Sequence, residues 1–185
     1  LNYGMNYGDR DKGHRANGFT TDGGFAEYAL NHVNTLVRVP EGMSDEEATL
    51  IVTAGTAIYG LDVVGGLVAG QSVVVIGPGA IGLMVVAVAK ALGASPVVLA
   101  GTNRDRNRLQ TGLKLGADAV VNVEERDAVA EVLRLTRGRG AHYVFECSGA
   151  RDAINVAACM TSRGGRICAI AFAREPVLVD VAYQG

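Results

Sequence analysis

The run Ser72-Val73-Val74-Val75-Ile76 passes straight into Gly77-Pro78-Gly79-Ala80-Ile81-Gly82, and a helical pattern starts at once. Four consecutive β-branched residues stopped by glycine read as a strand covered on both faces, as in a parallel sheet. Past the turn, Ile81, Met84, Val85, Val88 and Leu92 recur at helical spacing, and Gly93 closes the helix. In the G-x-G-x-x-G turn, Gly77 permits the sharp bend off the strand. Gly79 lets backbone N–H groups approach a pyrophosphate, and Gly82 lets the helix lie close on the sheet. The helix start adds unpaired N–H donors and the positive end of its dipole. In a chain with 25 glycines such a pattern alone is weak; a strand before it and a helix after it make it a dinucleotide-binding turn. Gly77, Pro78, Gly79, Ala80, Ile81 and Gly82 are therefore candidate cofactor contacts.

From residue 72 onward the rhythm is regular. Strands are expected at 72–76, 96–100, 119–122, 142–146 and 166–171, with four helices between them. Leu109, Leu113 and Leu115 mark the second helix, ending at Gly116, and Val129, Val132 and Leu133 the third. Ile154, Ala157 and Met160 mark the fourth, with Gly164-Gly165 as its end. This alternation predicts an α/β domain with a right-handed, doubly wound parallel sheet, the Rossmann arrangement. A composition 49% hydrophobic but only 5% aromatic suits such a sheet under Ala-rich helices. A complete fold of this type needs a sixth strand, and 175–185 is too short to supply a helix and a strand.

Before residue 72 the signals are mixed. Residues 1–22 are rich in Gly, Asn and Asp and read as irregular; 25–30 and 35–39 read as short strands, and Pro40-Glu41-Gly42 turns the chain. Ser44 and Glu47 fit a capping box, predicting a helix towards Ala54, with a second helical piece over 56–64. The expected division is 1–43 as strands separated from their own domain, 44–70 as connecting helices, and 71–185 as a dinucleotide-binding domain lacking its last strand. Both ends read as cut.

A net charge of −2 gives no reason to expect a nucleic-acid partner. The longest apolar stretch, 81–89, stops at Lys90 and is too short to span a bilayer. Cys147, Cys159 and Cys168 are odd in number, far apart and set among apolar residues, which suits reduced thiols in a cytoplasmic protein. His14, His32 and His142 share no ligand spacing with them, so no metal site is expected in this stretch. Asp45-Glu46-Glu47 and Glu124-Glu125 read as solvated helix starts.

Two strand ends carry the remaining chemistry. About twenty residues past the glycine turn, an NAD site usually places Asp or Glu on the adenosine ribose; here the position is Gly101. Gly101 leaves room for a 2′-phosphate, while Thr102, Asn103 and Arg104 offer donors, with Arg106 and Arg108 in reach. The expected cofactor is NADP or NAD, with NADP favoured. The bland alternative is surface arginines paired with Asp105. The fourth strand ends in Glu146-Cys147-Ser148-Gly149, so Cys147 and Ser148 should face the crevice beyond the strand ends. Cys147 reads as a small filler and not a nucleophile, because no base lies near it in sequence. Ala171-Phe172 should lie near the nicotinamide end.

These residues together resemble the medium-chain, zinc-type alcohol dehydrogenases. Gly23-Gly24-Phe25-Ala26-Glu27-Tyr28 is similar to that family's G-G-[FY]-A-E-Y strand, and the segment from Val39 to Ala48 to its V-P-x-G-x-S-x-E-x-A. The segment from Gly70 to Gly82 is similar to G-x-x-V-x-V-x-G-x-G-x-x-G, and Lys114-Leu115-Gly116-Ala117-Asp118 to [KE]-x-G-A-D. The resemblance implies that 1–43 is a remnant of a GroES-like catalytic domain whose zinc ligands lie outside this stretch. It further implies hydride transfer between a nicotinamide and an alcohol, polyol or amino alcohol in a full-length homo-oligomer, with zinc, if the protein carries it, there and not here. The fragment alone is expected to bind cofactor without turnover, so no catalytic residue is assigned to it. In this family a further zinc ligand, Cys or Glu, often stands where this chain has Thr53. Thr53 is either a nicotinamide contact or a helix cap. Two alternatives stay open: a zinc-free quinone or enone reductase of the same superfamily, and a non-catalytic nucleotide-binding module.

Overall fold

The computed structural model describes residues 17–18, 21–173 and 175–179. The chain divides into two compact units, Leu1–Ala48 and Thr49–Gly185. Most of the 1–22 segment lies outside the described residues.

In the smaller unit, a 3-10 turn spans Val33–Thr35 and helix α1 spans Asp45–Ala48. The capping box forms as expected: the Ser44 N–H donates to Glu47 Oε2 at 2.9 Å and the Glu47 N–H to Ser44 Oγ at 3.2 Å. The strands expected at 25–30 and 35–39 do not form. Among the described residues no neighbouring strand supplies a ladder for them, and a lone extended segment leaves its N–H and C=O groups to water. Their apolar side chains, including Phe25, Leu30 and Val37, are exposed accordingly.

The larger unit opens with helix α2 (Ile51–Ile58), which runs directly into a π-helical segment, Tyr59–Val64. The anticipated single helix towards Ala54 is thus interrupted after Ala48 and begins again at Ile51. Strands β1 (Val73–Ile76), β2 (Val97–Gly101), β3 (Ala119–Asn122), β4 (Ala141–Glu146) and β5 (Thr161–Ala169) then alternate with helices α3 (Ala80–Ala91), α4 (Arg106–Lys114), α5 (Ala128–Leu135) and α6 (Ala153–Met160). All paired strands are parallel, in the order β3-β2-β1-β4-β5. This is the doubly wound arrangement read from the sequence.

Alternation along β1 explains the two layers. Val73 and Val75 join a core with Leu61, Val85, Val86, Ala89, Leu99, Leu109 and Phe145, beneath the π-helical segment, α3 and α4. Val74 points the other way, into a core with Val98, Val121, Val132, Val144, Ala157 and Met160 beneath α5 and α6. Both faces of the sheet are covered, as parallel strands require.

Strand β5 differs from expectation. It begins at Thr161, directly after α6, and Gly164-Gly165 lie inside it instead of closing the helix. Its register with β4 jumps from Ala141↔Thr161 to Tyr143↔Arg166. Gly164, at φ +70°, provides the left-handed residue of that bulge.

Candidate functional site

Strand order places β1 at the point where winding reverses, with β2 on one side and β4 on the other. Ligands of such sheets lie in the crevice beyond the strand carboxyl ends at this point. The glycine turn stands there. Gly77 has φ +97°, and its N–H donates to Ala100 O at 2.9 Å. A Cβ at Gly77 would come within 2.8 to 2.9 Å of the N, Cα and Cβ of Ser148, so only glycine fits. A Cβ at Gly82 would collide with the Gly77 carbonyl oxygen, which ties the start of α3 to the turn. Gly79 differs from both. It caps α3 without a side-chain hydrogen bond, and a Cβ there would meet nothing within 4 Å. The first intrahelical bond is Leu83 N–H to Gly79 O at 2.9 Å, so the N–H groups of Ala80, Ile81 and Gly82 precede the helical ladder. Three donors and an unobstructed glycine make a cradle suited to a pyrophosphate.

Beyond β2, the sequence-marked residues Gly101, Thr102, Asn103, Arg104 and Arg108 do come together, but most of their donors are in use. One carboxylate oxygen of Asp105 accepts both the N–H of Thr102 at 3.1 Å and its hydroxyl at 2.9 Å. The other oxygen holds Arg108 at 3.0 Å. Partial burial works to raise the Asp105 pKa, but the hydrogen bonds from Thr102 and Arg108 outweigh it and leave the group below its ordinary value. The Asn103 N–H donates to Glu124 Oε2 at 2.7 Å, and Arg106 pairs with Glu125 at 2.8 Å. Glu124-Glu125 is exposed as expected but does not start a helix; α5 begins later, capped by the Asp127 carboxylate. Arg104 is exposed and has no hydrogen bond or ion pair among the described residues. Gly101 itself is buried against Pro78.

At the end of β4, the buried Glu146 directs one carboxylate oxygen to the Ser148 N–H at 2.7 Å, the Ser148 hydroxyl at 2.5 Å and the Gly149 N–H at 3.0 Å. Cys147 is half-buried beside it, and its N–H donates to Ile76 O at 2.8 Å. Burial, then Glu146 and Cys168, push the Cys147 thiol up to about 12. A thiol so disposed is no nucleophile near neutrality. Thr53 lies in the first turn of α2, with its hydroxyl donated to Leu50 O at 2.8 Å. Among the described residues no three His, Cys, Asp or Glu side chains gather as a metal-ligand set.

Sequence reasoning passed over Asp105, Glu124 and Glu146 as site residues. The Thr102-x-x-Asp105 spacing is a capping signature, and a carboxylate ending the otherwise apolar β4 is conspicuous, so two of these were detectable. Nothing local marks Glu124, which reaches Asn103 from twenty-one residues away.

Residues 80–184, more than half of the chain, match the zinc-binding dehydrogenase family. The chain belongs to that family. It is a medium-chain, zinc-type alcohol dehydrogenase relative. L-threonine 3-dehydrogenase of Bacillus licheniformis is 38% identical over 164 residues, which are 89% of this chain and 46% of that protein. Sorbitol dehydrogenase of Bacillus subtilis is 32% identical over 149 residues, 80% of this chain and 41% of that protein. Among solved structures, alcohol dehydrogenase TADH from Thermus sp. ATN1 superposes with a TM-score of 0.70 at 33% identity, over 76% of this chain and 40% of that one. This zinc-binding dehydrogenase chain thus spans less than half the length of the relatives it matches. No helix among its described residues is long and apolar enough to cross a membrane.

Proposed function

We propose that this chain is the dinucleotide-binding part of a medium-chain alcohol dehydrogenase, holding NADP(H) or NAD(H), with NADP favoured. The full-length protein would move hydride between that cofactor and an alcohol, a polyol or an amino alcohol. The observation that carries the reading is the open Gly79 cradle at the start of α3, where the sheet reverses its winding. The nicotinamide ring, when bound, supplies the hydride acceptor or donor. The chain's own part is to bind and orient. Backbone donors of Ala80, Ile81 and Gly82 would hold the pyrophosphate, with Gly77, Pro78 and Gly79 shaping the turn beneath it. Gly101, Thr102, Asn103, Arg104 and Arg108 would line the adenosine ribose, and Arg104, unpaired among the described residues, would meet a 2′-phosphate. Cys147 and Ser148 would border the other half. In this reading the chain's described residues hold and orient the cofactor and move no proton.

The relatives' names, which include threonine, sorbitol and alcohol dehydrogenases, support an alcohol as substrate class. The domain reading carries over as well: 1–43 from a catalytic domain, 44–70 connecting, 71–185 holding the cofactor. Partly buried free thiols support a reducing, cytoplasmic setting, and the outer edge of β5, unpaired among the described residues, supports association of copies. Light scattering tests the last point; a strict monomer at high concentration counts against it. A second reading, the zinc-free quinone or enone reductase, is favoured by one observation, the spent hydroxyl of Thr53. Metal analysis of the full-length protein separates the two.

Thermal shift of the purified chain with NAD, NADP and their reduced forms is the test. Stabilisation by at least one of them, without alcohol oxidation by the fragment, is expected. No shift with any of the four at millimolar concentration overturns the proposal.

A further inference from the structure

Glu146 is a charged side chain only 5% exposed at the mouth of a crevice. A buried carboxylate is costly unless hydrogen-bonded, and this one is spent locally. One oxygen gathers the N–H and hydroxyl of Ser148 and the N–H of Gly149. Its main-chain carbonyl accepts from Ile170 at 2.9 Å and from Ala171 at 3.2 Å, beyond the end of β5. The turn so formed is closely fitted on two sides. Ser148 lies against Gly77, and a Cβ on Gly149, at φ +66°, would stand 3.0 Å from Phe172 O. One residue therefore joins the glycine turn, the end of β4 and the end of β5.

We infer that Glu146 is a positioning residue, which sets the Ser148-Gly149 turn as the surface against which the nicotinamide half of a bound dinucleotide lies. The inference rests on the dinucleotide reading above. The adenosine half goes to the loop after β2, and β4 and β5 lie on the opposite side of β1. Glu146 acts through backbone it holds in place and does not itself need to touch the ligand.

The test compares NADH with ADP-ribose, which lacks the nicotinamide, by calorimetry on the same chain. In Glu146→Asp the carboxylate retracts by one methylene while charge and burial persist. NADH affinity should fall about tenfold and ADP-ribose affinity change less than about twofold, the size expected for loss of charge-assisted hydrogen bonds. Glu146→Gln, which keeps the accepting oxygen, should bind NADH within about threefold of the original chain. Ser148→Ala removes the hydroxyl that Glu146 accepts, at an exposed position, so it serves where the Asp variant fails to fold. Its NADH affinity should fall about threefold with ADP-ribose unchanged. Equal loss for both ligands, or no loss of NADH affinity, overturns the positioning role. Failure of the unmodified chain to bind NADH, NADPH or ADP-ribose overturns the dinucleotide reading itself.

Discussion

Gly101 lies against the ring of Pro78: a Cβ at position 101 would stand 2.9 Å from the proline Cγ and 3.0 Å from its Cδ. The glycine that reads as space for a phosphate is also the floor on which the glycine turn rests. Installing the carboxylate usual in NAD sites should therefore not simply exchange one cofactor for the other. Gly101→Asp is expected to cost about 1–3 kcal/mol of stability through overpacking and to weaken NAD(H) and NADP(H) together. Urea melts and calorimetry check this. Stronger NAD(H) binding at unchanged stability would falsify the packing account.

Arg104 differs from its neighbours in that its side chain has no partner among the described residues, whereas Arg106 and Arg108 are held by Glu125 and Asp105. Arg104→Ala should weaken NADP(H) by about three- to tenfold and leave NAD(H) nearly unchanged, since one exposed charge-assisted bond to the 2′-phosphate is lost. Arg106→Ala should do less. Equal losses for both cofactors in calorimetry remove Arg104 from the phosphate.

The glycines of the turn should separate into two kinds. Gly82→Ala drives a methyl into the Gly77 carbonyl and should destabilise by at least about 1–3 kcal/mol. Gly79→Ala meets open space, so the fold should stand while dinucleotide binding falls as the methyl occupies the cradle. Parallel denaturation and binding curves distinguish them. A Gly79→Ala variant that binds as before would show that the cradle is not where the phosphates sit.

Cys147 supplies a pH signature. Its folded value of about 12 lies above the ordinary 9.0, because burial penalises the thiolate. The folded state keeps this proton where the unfolded chain releases it, so the contribution is complete below pH 9 and is lost as pH rises towards 12. Unfolding measured across that window should show a shallower decline for Cys147→Ala than for the unmodified chain. Site-resolved iodoacetamide labelling at pH 8 should leave Cys147 unmodified in the native chain and label it in urea. Rapid native labelling contradicts the buried-thiol description.

The fold was legible because its signals are local. The apolar run of β1, the helical spacing after Gly82 and the closing Gly93 and Gly116 each predict an element that forms. The failures came where formation depends on a partner. Residues 25–30 have a strand's composition and no strand beside them among the described residues, and Gly164-Gly165 resemble a helix end while serving a bulge against β4. At the candidate site, the sequence marks residues that stand together but not their pairings. Glu124 reaches Asn103 across a helix and a strand, and no spacing rule connects those positions.

The glycine turn is touched from both sides, by Gly101 through Pro78 and by Ser148 through Gly77. On the proposed reading, the choice between carriers is made on one flank and the aim of the reactive ring on the other. Substitutions in the loop after β2 and in the turn after β4 should then combine additively in a double-mutant cycle. A lineage built on this frame can change which carrier it draws from the cell without relearning how to present it.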